Sequence, residues 1–590
     1  MKDFLKFTLA TVAGIIVSSV LLFFLSILFF FNAVASSKSE TTISDHSVLM
    51  LDLNGTLMER SQDNPFNQFM GGQFQVYGLE DILSSIRKAK ENENIEGIYL
   101  QPTLLSTNYA SLEEIREALI DFKESGKWVV AYADVYTQGV YYMASVADKV
   151  LLNPEGTIEW RGLAAQPIFF KKLLEKIGVE MQVFKVGTYK SAVEPYTATE
   201  MSDANREQLQ AYLGSTWETV IEGVAQSRGV EASKLNELAD GALIMAPAQR
   251  YVESGLADTL IYKNDVRDYL KQQMGIDEDD DLNVVGLNEM MTVGSNKPKD
   301  RSGHIIAIYY AEGEIVNESY DPLEQETVID GNQVIADLRD LMEDDDVKAV
   351  VFRINSPGGS AYASEQIWKA VTDLKAKKPI IVSMGDYAAS GGYYIACNAD
   401  TIVAQPTTLT GSIGIFGMVP NAEGLTNKIG IDFDVVKTNT YSAFGNSTGR
   451  LNEGERAIMQ QMVNRGYDLF LTRCADGRGI AKEELDKIAQ GRIWTGATAK
   501  ELGLVDVLGG IDTALQIAVE KAGVESYTLM SYPAPKSIFE LLTESNPGNY
   551  IRSCIFGEKL GKLYKQVQML ENVERCDRIQ ARVPFDINIQ

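Results

Sequence analysis

The stretch "DYAASGGYYIACNAD" (386–400) places Ser390 directly before two glycines and a helical pattern. A serine in this position could be the nucleophile of an acyl transfer, but its hydroxyl is weak until an adjacent base takes its proton. The chain has two histidines. Because His46 follows the apolar N-terminal run and His304 begins a predicted strand, we expect neither to be that base. A G-x-S-x-G nucleophile elbow is also excluded, since Ala388 stands where its first glycine should be.

An internal repeat indicates where the base could lie. Residues 134–154 match residues 386–406 in register, with a constant offset of 252 residues (386 minus 134). At this offset Gln138 stands in the first copy where Ser390 stands in the second, whereas Lys190 of the first copy has a serine as its counterpart. The serine and the lysine are each present in one copy only. We therefore predict one composite site between the copies, with Ser390 as nucleophile and Lys190 as general base.

A lysine can serve as this base only while its amine is neutral. Free lysine has a pKa of about 10.4, but burial disfavours the ammonium, and catalytic lysines are tuned towards about 7–8. A Lys190 enclosed between two domains would meet that requirement. Ser191 and Ser412 lie close in sequence to the motifs, and they are candidates to orient the lysine or to line the site.

Glycines near the serine predict the donors for an oxyanion. The segment "AVVFRINSPGGSAYASEQ" (349–366) predicts a strand, a turn through Gly358 and Gly359, and a helix. Glycines in such a turn let backbone N–H groups face a ligand without a Cβ clash, and acyl transfer needs donors aimed at the developing oxyanion. We predict a second donor at the Gly391 N–H, which follows Ser390 at a helix start.

Short apolar runs alternate with helical patterns in both copies. "IEGIYL" (95–100) and "VKAVVF" (347–352) have strand length, whereas "SEQIWKAVTDLKAKK" (364–378) carries apolar residues at helical spacing. This alternation predicts βαβ units with buried, mostly parallel strands. We therefore expect an α/β fold with two tandem repeats, residues 46–270 and 304–525, which supply the lysine and the serine respectively.

A run of 25 uncharged residues (7–31) lies near the N-terminus. A bilayer core needs about 20 residues of helix, whereas the apolar core of a signal peptide has about 7–15. Although "AVA" at 33–35 resembles a cleavage site, we predict a retained transmembrane helix within an anchor segment, residues 1–45. Lys2 and Lys6 before the run place the N-terminus in the cytoplasm and the body across the membrane.

Two segments fall outside the repeats. Residues 271–303 are acidic, contain Gly, Asn and Lys, and are predicted to be a linker. Residues 526–590 form a C-terminal extension, in which "KSIFELL" and "EKLGKLYKQVQML" suggest peripheral helices. The sequence indicates no function for this extension.

The composition excludes some classes of function. A net charge of −27 argues against a nucleic-acid partner, because binding to phosphates needs a basic surface. The sequence has no Walker motif and no cluster with metal-ligand spacing, so we expect neither a cofactor nor a metal. The four cysteines have no CxxC spacing, although Cys554 and Cys576 could pair if the body lies outside the cytoplasm.

Four motifs together resemble the signal peptide peptidase A (protease IV) family in its long, duplicated, membrane-anchored form. They are "FRINSPGGSAYASE" (352–365), "SMGDYAASGGYYIACNAD" (383–400), "TGSIGIFG" (410–417) and "FKVGTYKSAVEPYT" (184–197). The resemblance extends over roughly residues 1–525. It implies a Clp-protease/crotonase-like fold in each half and a serine peptidase with a Ser–Lys dyad.

The same resemblance assigns roles to single residues of this chain. It implies that Ser390 is the nucleophile, Lys190 the general base, and Gly359 and Gly391 the oxyanion donors. It also implies a homotetramer at the periplasmic face of the inner (cytoplasmic) membrane. The implied substrates are hydrophobic peptides, in particular signal peptides left in the membrane after processing.

Two other classes of function share part of this pattern. A crotonase-type acyl-CoA enzyme would have the βαβ repeats and the glycine turn, but it would need neither Ser390 nor an extracytoplasmic location. A catalytically inert membrane scaffold descended from a peptidase would function equally well with alanine at position 390. Replacement of Ser390 therefore separates both alternatives from a peptidase.

Overall fold

The computed structural model describes residues 42–61, 75–277, 279–294, 300, 302–318, 327–534 and 579–583, together with isolated positions between residues 7 and 22. Among these residues, no helix is long and apolar enough to cross a membrane. The predicted anchor run lies largely outside the described residues. The two predicted tail helices, Cys554 and Cys576 also lie outside them.

The first half of the chain contains eight strands and ten α-helices among the residues described. The strands are β1 (Ser47–Met58), β2 (Gln75–Gly78), β3 (Ile95–Ser106), β4 (Trp128–Tyr136), β5 (Lys149–Ile158), β6 (Glu180–Lys185), β7 (Thr259–Leu260) and β8 (Asn283–Gly286). The helices are α1 (Leu79–Glu91), α2 (Tyr109–Lys123), α3 (Gln138–Ala144), α4 (Lys171–Ile177), α5 (Glu194–Thr197), α6 (Asp203–Arg228), α7 (Ala232–Asp240), α8 (Gln249–Glu253), α9 (Val266–Met274) and α10 (Leu287–Thr292).

The second half repeats this alternation. Its strands are β9 (Ile305–Glu312), β10 (Glu314–Val316), β11 (Val328–Asp330), β12 (Val347–Ser356), β13 (Gly358–Ser360), β14 (Ile380–Ala389), β15 (Thr401–Ala404), β16 (Leu409–Gly411), β17 (Phe416–Asn421), β18 (Ile493–Thr495), β19 (Val507–Leu508), β20 (Thr528–Tyr532) and β21 (Ile579–Arg582). Its helices are α11 (Gly331–Glu343), α12 (Ala361–Lys375), α13 (Gly391–Ala396), α14 (Glu423–Lys428), α15 (Glu453–Arg478), α16 (Lys482–Ile488), α17 (Gly496–Glu501) and α18 (Ile511–Ala522).

Each repeat builds its own mainly parallel sheet. The first sheet has the order β2-β1-β3-β4-β5-β7, with β8 beside β1, and all its pairings are parallel. The second has the order β18-β16-β14-β12-β9-β20, with β15 beside β14, and only the pairing of β18 with β16 is antiparallel. These sheets confirm the predicted α/β fold. Strands of a parallel sheet are buried on both faces, which is why they appear in the sequence as continuous apolar runs.

The longest helices show why the two repeats fold alike. Helices α6 and α15 each have 26 residues, and each begins at a side-chain cap, Ser202 or Asn452. Each ends at a glycine in the left-handed conformation, Gly229 or Gly479. Side-chain caps satisfy the free N–H groups of the first turn, and glycine adopts the left-handed end without steric cost. The same local signals therefore define the same helix in both copies.

A third sheet joins the two repeats. Its order is β11-β10-β13-β21-β17-β6, so that β6 of the first repeat lies beside β17 of the second. These two strands pair antiparallel, with Lys185 opposite Phe416 and Glu180 opposite Asn421. The chain that follows β6, including Lys190, is thereby brought against the second repeat.

Parts of the predicted linker and extension belong to these sheets. Within residues 271–303, β8 pairs with the first four residues of β1, and α10 packs beside α1, where Lys88 Nζ donates to Met291 O at 2.7 Å. Within the extension, β20 pairs with β9, and β21 pairs with β13 and β17. The domain boundaries remain predictions, but these segments add strands to both repeats.

Candidate active site

Ser390 lies at a sharp turn between a strand and a helix. Strand β14 ends at Ala389, helix α13 begins at Gly391, and Ser390 between them has φ 55° and ψ −110°. A positive φ is uncommon for a residue with a side chain, and such strained positions cluster at functional sites. The Ser390 N–H donates to Gly411 O at 2.8 Å, which ties the turn to β16. The side chain is completely buried.

The Lys190 amine lies against this serine. Its Nζ is 2.8 Å from Ser390 Oγ, 3.0 Å from Ser412 Oγ and 3.2 Å from Ser412 O. The Lys190 side chain is 0 % exposed, so water does not compete for these contacts. The structure thus brings together the two residues that the repeat comparison singled out.

Burial sets the protonation of Lys190. It lowers the pKa of the amine well below the usual lysine value, because the ammonium loses its hydration. A neutral amine has a lone pair that can accept the Ser390 proton. The position of Lys190 therefore supplies the chemical condition that a lysine base requires.

Loops of the second repeat enclose the lysine. A Cβ added to Gly491 would lie 2.7 Å from Lys190 Cβ, and one added to Gly414 would lie 3.2 Å from Lys190 Cδ. Tyr189 N–H donates to Gln490 O at 3.0 Å, which fixes the backbone next to the lysine. The side chain consequently has little room to leave Ser390.

The two candidate serines beside the motifs have different surroundings. Ser412 has φ 50°, its N–H donates to Arg492 O at 2.7 Å, and its hydroxyl and carbonyl oxygens both face the Lys190 amine. Ser191 Oγ instead accepts a hydrogen bond from Gln208 Nε2 at 2.9 Å. The structure brings Ser412 to the lysine, and it directs Ser191 to helix α6.

The predicted oxyanion glycines lie next to one another. A Cβ added to Gly391 would be 3.1 Å from Gly358 Cα. The Gly358 N–H, at φ 102°, donates to Ser356 Oγ at 3.1 Å, so it is engaged within its own turn. The Gly359 N–H on this turn and the Gly391 N–H at the start of α13 are the two donors that the sequence predicts for an oxyanion.

Sequence reasoning missed a buried ionic cluster that joins the repeats. Arg353 Nε lies 2.8 Å from Glu59 Oε2, and Arg353 Nη2 lies 2.6 Å from Glu114 Oε1. All three side chains are at most 3 % exposed. The available signal was an arginine inside the apolar strand "AVVFRIN", because a buried charge needs a buried partner. The carboxylates come from the first repeat, and only the folded chain shows which ones they are.

Three carboxyl groups in or beside this cluster have raised pKa values. Burial is the largest cause in each case, and it raises the pKa of Asp386 to about 6, that of Glu114 to about 7 and that of Glu312 to about 8. Asp386 accepts hydrogen bonds from the Ser111 N–H and hydroxyl, both at 2.9 Å. Within the described part of the chain, no group of three or more His, Cys, Asp or Glu could hold a metal ion.

Comparison with known families places this site in context. The model of peptidase family S49 matches residues 121–277 and 372–525, one stretch in each repeat. The model of the Clp protease family matches residues 320–409, which include the glycine turn and Ser390. The match to the S49 model is therefore itself duplicated, as the internal repeat predicts.

Three relatives cover most of this chain. Protease 4 of Salmonella typhi is 36 % identical over 529 residues, which are 87 % of this chain and 84 % of that protein. Protease 4 of Haemophilus influenzae is 34 % identical, with coverages of 82 % and 80 %. The chloroplastic serine protease SPPA of Arabidopsis thaliana is 30 % identical, with coverages of 83 % and 72 %.

Proposed function

This chain belongs to peptidase family S49 and is a serine peptidase, and from that premise we propose that Ser390 is its nucleophile and Lys190 its general base. One observation carries this proposal. The Lys190 Nζ lies 2.8 Å from Ser390 Oγ, in a site where burial keeps the pKa of the lysine low. The distance is within the range in which a base can take a proton directly.

The proposed mechanism uses this pair twice. Neutral Lys190 accepts the Ser390 proton while Oγ attacks the scissile carbonyl carbon, and the ammonium then protonates the leaving amine. A water molecule, deprotonated by Lys190, next hydrolyses the acyl-enzyme and restores the serine. Backbone N–H groups of Gly359 and Gly391 stabilise the oxyanion in both steps, and a single such donor can contribute about 10²–10³ in rate.

Ser412 is proposed to position the amine. Its Oγ and its carbonyl oxygen both lie within hydrogen-bond distance of Lys190 Nζ. Two such acceptors take the hydrogens of a neutral amine and leave its lone pair for Ser390. Ser412 is thus a positioning residue, since it acts through the lysine.

The proposed substrates are hydrophobic peptides, in particular signal peptides remaining after their release from preproteins. The uncharged run at residues 7–31 supports a single-pass anchor in the inner membrane, with the body on the periplasmic side. The similarity to Protease 4 supports peptide hydrolysis. A homotetrameric assembly belongs to the same proposal. Alkaline extraction of membranes and light scattering of the detergent-solubilised protein test the anchor and the assembly.

The test of the proposed chemistry compares variants of the full-length protein in detergent. We expect Ser390→Ala to abolish hydrolysis of an apolar peptide while circular dichroism remains unchanged. Ser442→Ala is the matched control, because Ser442 is exposed and its hydroxyl bonds only within its own turn. Retained hydrolysis in Ser390→Ala would remove the serine from the mechanism.

A further inference from the structure

The guanidinium of Arg492 lies between two aromatic rings beside the lysine segment. Its Cζ is 4.6 Å from the ring centre of Tyr189 and 4.5 Å from that of Trp494. Tyr189 directly precedes Lys190 in the first repeat, whereas Trp494 belongs to β18 of the second. A cation over an aromatic face is attracted by the negative charge of the ring face, most strongly over tryptophan. Arg492 therefore joins the lysine segment to the second repeat.

The same guanidinium makes polar contacts with the first repeat. Its Nη1 donates to Tyr189 Oη at 3.1 Å, and its Nη2 lies 3.0 Å from Glu207 Oε1 on helix α6. Tyr189 Oη in turn donates to Glu207 Oε2 at 3.2 Å, so the three side chains contact one another in a closed set. The planar fork of arginine suits such a set, because its donors point in fixed directions. One residue of the second repeat thus holds two elements of the first.

The backbone of Arg492 holds the serine that faces the lysine amine. The Arg492 carbonyl oxygen accepts a hydrogen bond from the Ser412 N–H at 2.7 Å. Ser412 presents its hydroxyl and its carbonyl oxygen to Lys190 Nζ. Arg492 consequently contacts the neighbour of the lysine through its side chain and a partner of the lysine through its main chain.

Comparison of the two repeats singles out this arginine as it does the serine and the lysine. Around the long helices the copies are offset by 250 residues (479 minus 229), the positions of the glycines that end α15 and α6. At this offset Ala242 stands in the first copy where Arg492 stands in the second. Tyr441, the counterpart of Tyr189, is 48 % exposed, whereas Tyr189 is partly buried. The arginine is therefore present only in the copy that receives the lysine.

We propose that Arg492 is a positioning residue of this peptidase, which closes the lysine segment of the first repeat onto the second and so holds the amine against Ser390. The inference rests on the proposed function, since it concerns the same serine and lysine. Without the guanidinium, the Tyr189 ring loses the cation that joins it to the second repeat. The Lys190 amine then moves away from the Ser390 hydroxyl and becomes accessible to water.

The experiment measures peptide hydrolysis by Arg492→Met from pH 6 to pH 10, with full-length protein in detergent. We expect kcat to fall about 10²-fold, as a misplacement of about 1 Å can cause, with little change in KM. The midpoint of the kcat profile should move to higher pH, because water stabilises the ammonium form of an amine that it reaches. Arg492→Lys keeps a cation for the rings and for Glu207 but lacks the fork. It is expected to show the same changes to a smaller extent.

Arg473→Met is the matched control for a structural effect. Arg473 also lies over a tryptophan, with its Cζ 3.9 Å from the ring centre of Trp368, and its Nη2 is 2.6 Å from Glu365 Oε1. These contacts lie within the second repeat. We expect Arg473→Met to lower the melting temperature about as much as Arg492→Met does and to leave the midpoint of the pH profile in place. Equal shifts of the midpoint in both variants would overturn the positioning role.

Tyr189→Ala tests whether the arginine acts through the tyrosine. We expect this variant to reproduce the fall in kcat, and the double variant with Arg492→Met to be no slower than either single one, because residues that act as a unit are not additive. Fully additive losses, a rise in KM alone or a normal kcat in Arg492→Met would each contradict the inference while the peptidase mechanism stands. If Ser390→Ala hydrolyses the peptide as wild type does, the proposed function fails and the inference fails with it.

Discussion

Lys190 and Ser390 come from different repeats, yet the lysine Nζ lies 2.8 Å from the serine Oγ. The antiparallel pairing of β6 with β17 brings the lysine to the second repeat, and the loop containing Gly491 encloses it there. Because neither repeat contains both residues, the proposed active site requires both halves of the chain. Its geometry depends on the contact between the repeats.

Replacing Lys190 with methionine separates activity from stability. We expect Lys190→Met to lower kcat by about 10²–10⁴, the usual contribution of a general base, and to raise the melting temperature. Burial lowers the lysine pKa in the folded state, so between that pKa and the unfolded value the unfolded chain binds more protons. Wild-type stability then rises with pH in this window, and the stabilisation by methionine is largest below it. Calorimetry at several pH values measures this difference.

The matched control is Lys172→Met, because Lys172 lies on helix α4 of the same repeat and is exposed. This variant is expected to keep its activity and its melting temperature. A Lys190→Met protein that is less stable than wild type at low pH would contradict the inferred low pKa.

Removal of the Ser412 hydroxyl tests the positioning of the amine. We expect Ser412→Ala to lower kcat about 10-fold to 100-fold with little change in KM, since Ser412 also bonds the ammonium that forms on Lys190 during acylation, and a hydrogen bond to a charged group contributes about 1.5–3 kcal/mol. The midpoint of the pH profile should shift as well, because the lysine loses one partner. Ser191→Ala removes a hydroxyl that bonds to Gln208 and is expected to leave the midpoint in place. Equal shifts in both variants would show that Ser412 has no special role.

A methyl group at Gly359 should disturb the oxyanion turn. The added Cβ would lie 2.1 Å from Ile315 O, a backbone atom that cannot move aside without breaking the pairing of β13 with β10. We expect Gly359→Ala to lower kcat by at least about 10²-fold, as loss of one oxyanion donor does. Gly214→Ala is the control, because a Cβ there meets nothing within 4 Å. Steady-state peptide hydrolysis is the measurement, and a Gly359→Ala enzyme with normal kcat would exclude this donor.

The buried Arg353 is expected to hold the repeats together. Arg353→Met leaves the Glu59 and Glu114 carboxylates without their partner, and breaking a buried ion pair in this way costs about 3–5 kcal/mol. The loss should be smaller at pH 5 than at pH 8, because protonated carboxyls need no cation and the pKa of Glu114 is already raised to about 7. Urea unfolding at both pH values measures the difference in the free energy of unfolding.

Arg450→Met provides the comparison for this variant. Its ion pair with Glu180 is exposed, with 71 % and 46 % of the side chains accessible, and surface pairs contribute about 0–1 kcal/mol. A similar loss of stability in both variants would contradict the distinction between the buried and the exposed pair.

The sequence predicted the α/β architecture from local signals, and the comparison of the repeats predicted that Lys190 lies beside Ser390. Apolar runs of strand length define the parallel strands, and the chemistry of a serine nucleophile demands a base that the repeat comparison locates at Lys190. The partners of Arg353 lie 239 and 294 residues away, so no local pattern identifies them. Ser191 directly follows the lysine in sequence, yet its hydroxyl contacts Gln208 and not the lysine amine. The direction of each side chain depends on the local backbone conformation, which the sequence pattern does not reveal.

Short strands were the other feature that sequence patterns did not reveal. Strand β8 has four residues beside an acidic stretch, and strand β21 has four residues far from any repeat motif. Periodicity needs a longer window than this to be recognised. Both strands are defined by the edges to which they pair, β1 for the one and β13 with β17 for the other.

The most direct test of the composite site is the pH dependence of Ser390 acylation. The full-length protein and its Lys190→Ala variant are treated with a peptidyl reagent that acylates active serines, and the labelling of Ser390 is followed by mass spectrometry from pH 6 to pH 10. We expect the wild-type rate to rise through one pKa below the usual lysine value and Lys190→Ala to be labelled at least about 10²-fold more slowly. Labelling of Lys190→Ala at the wild-type rate, with the same pH profile, would contradict the composite site.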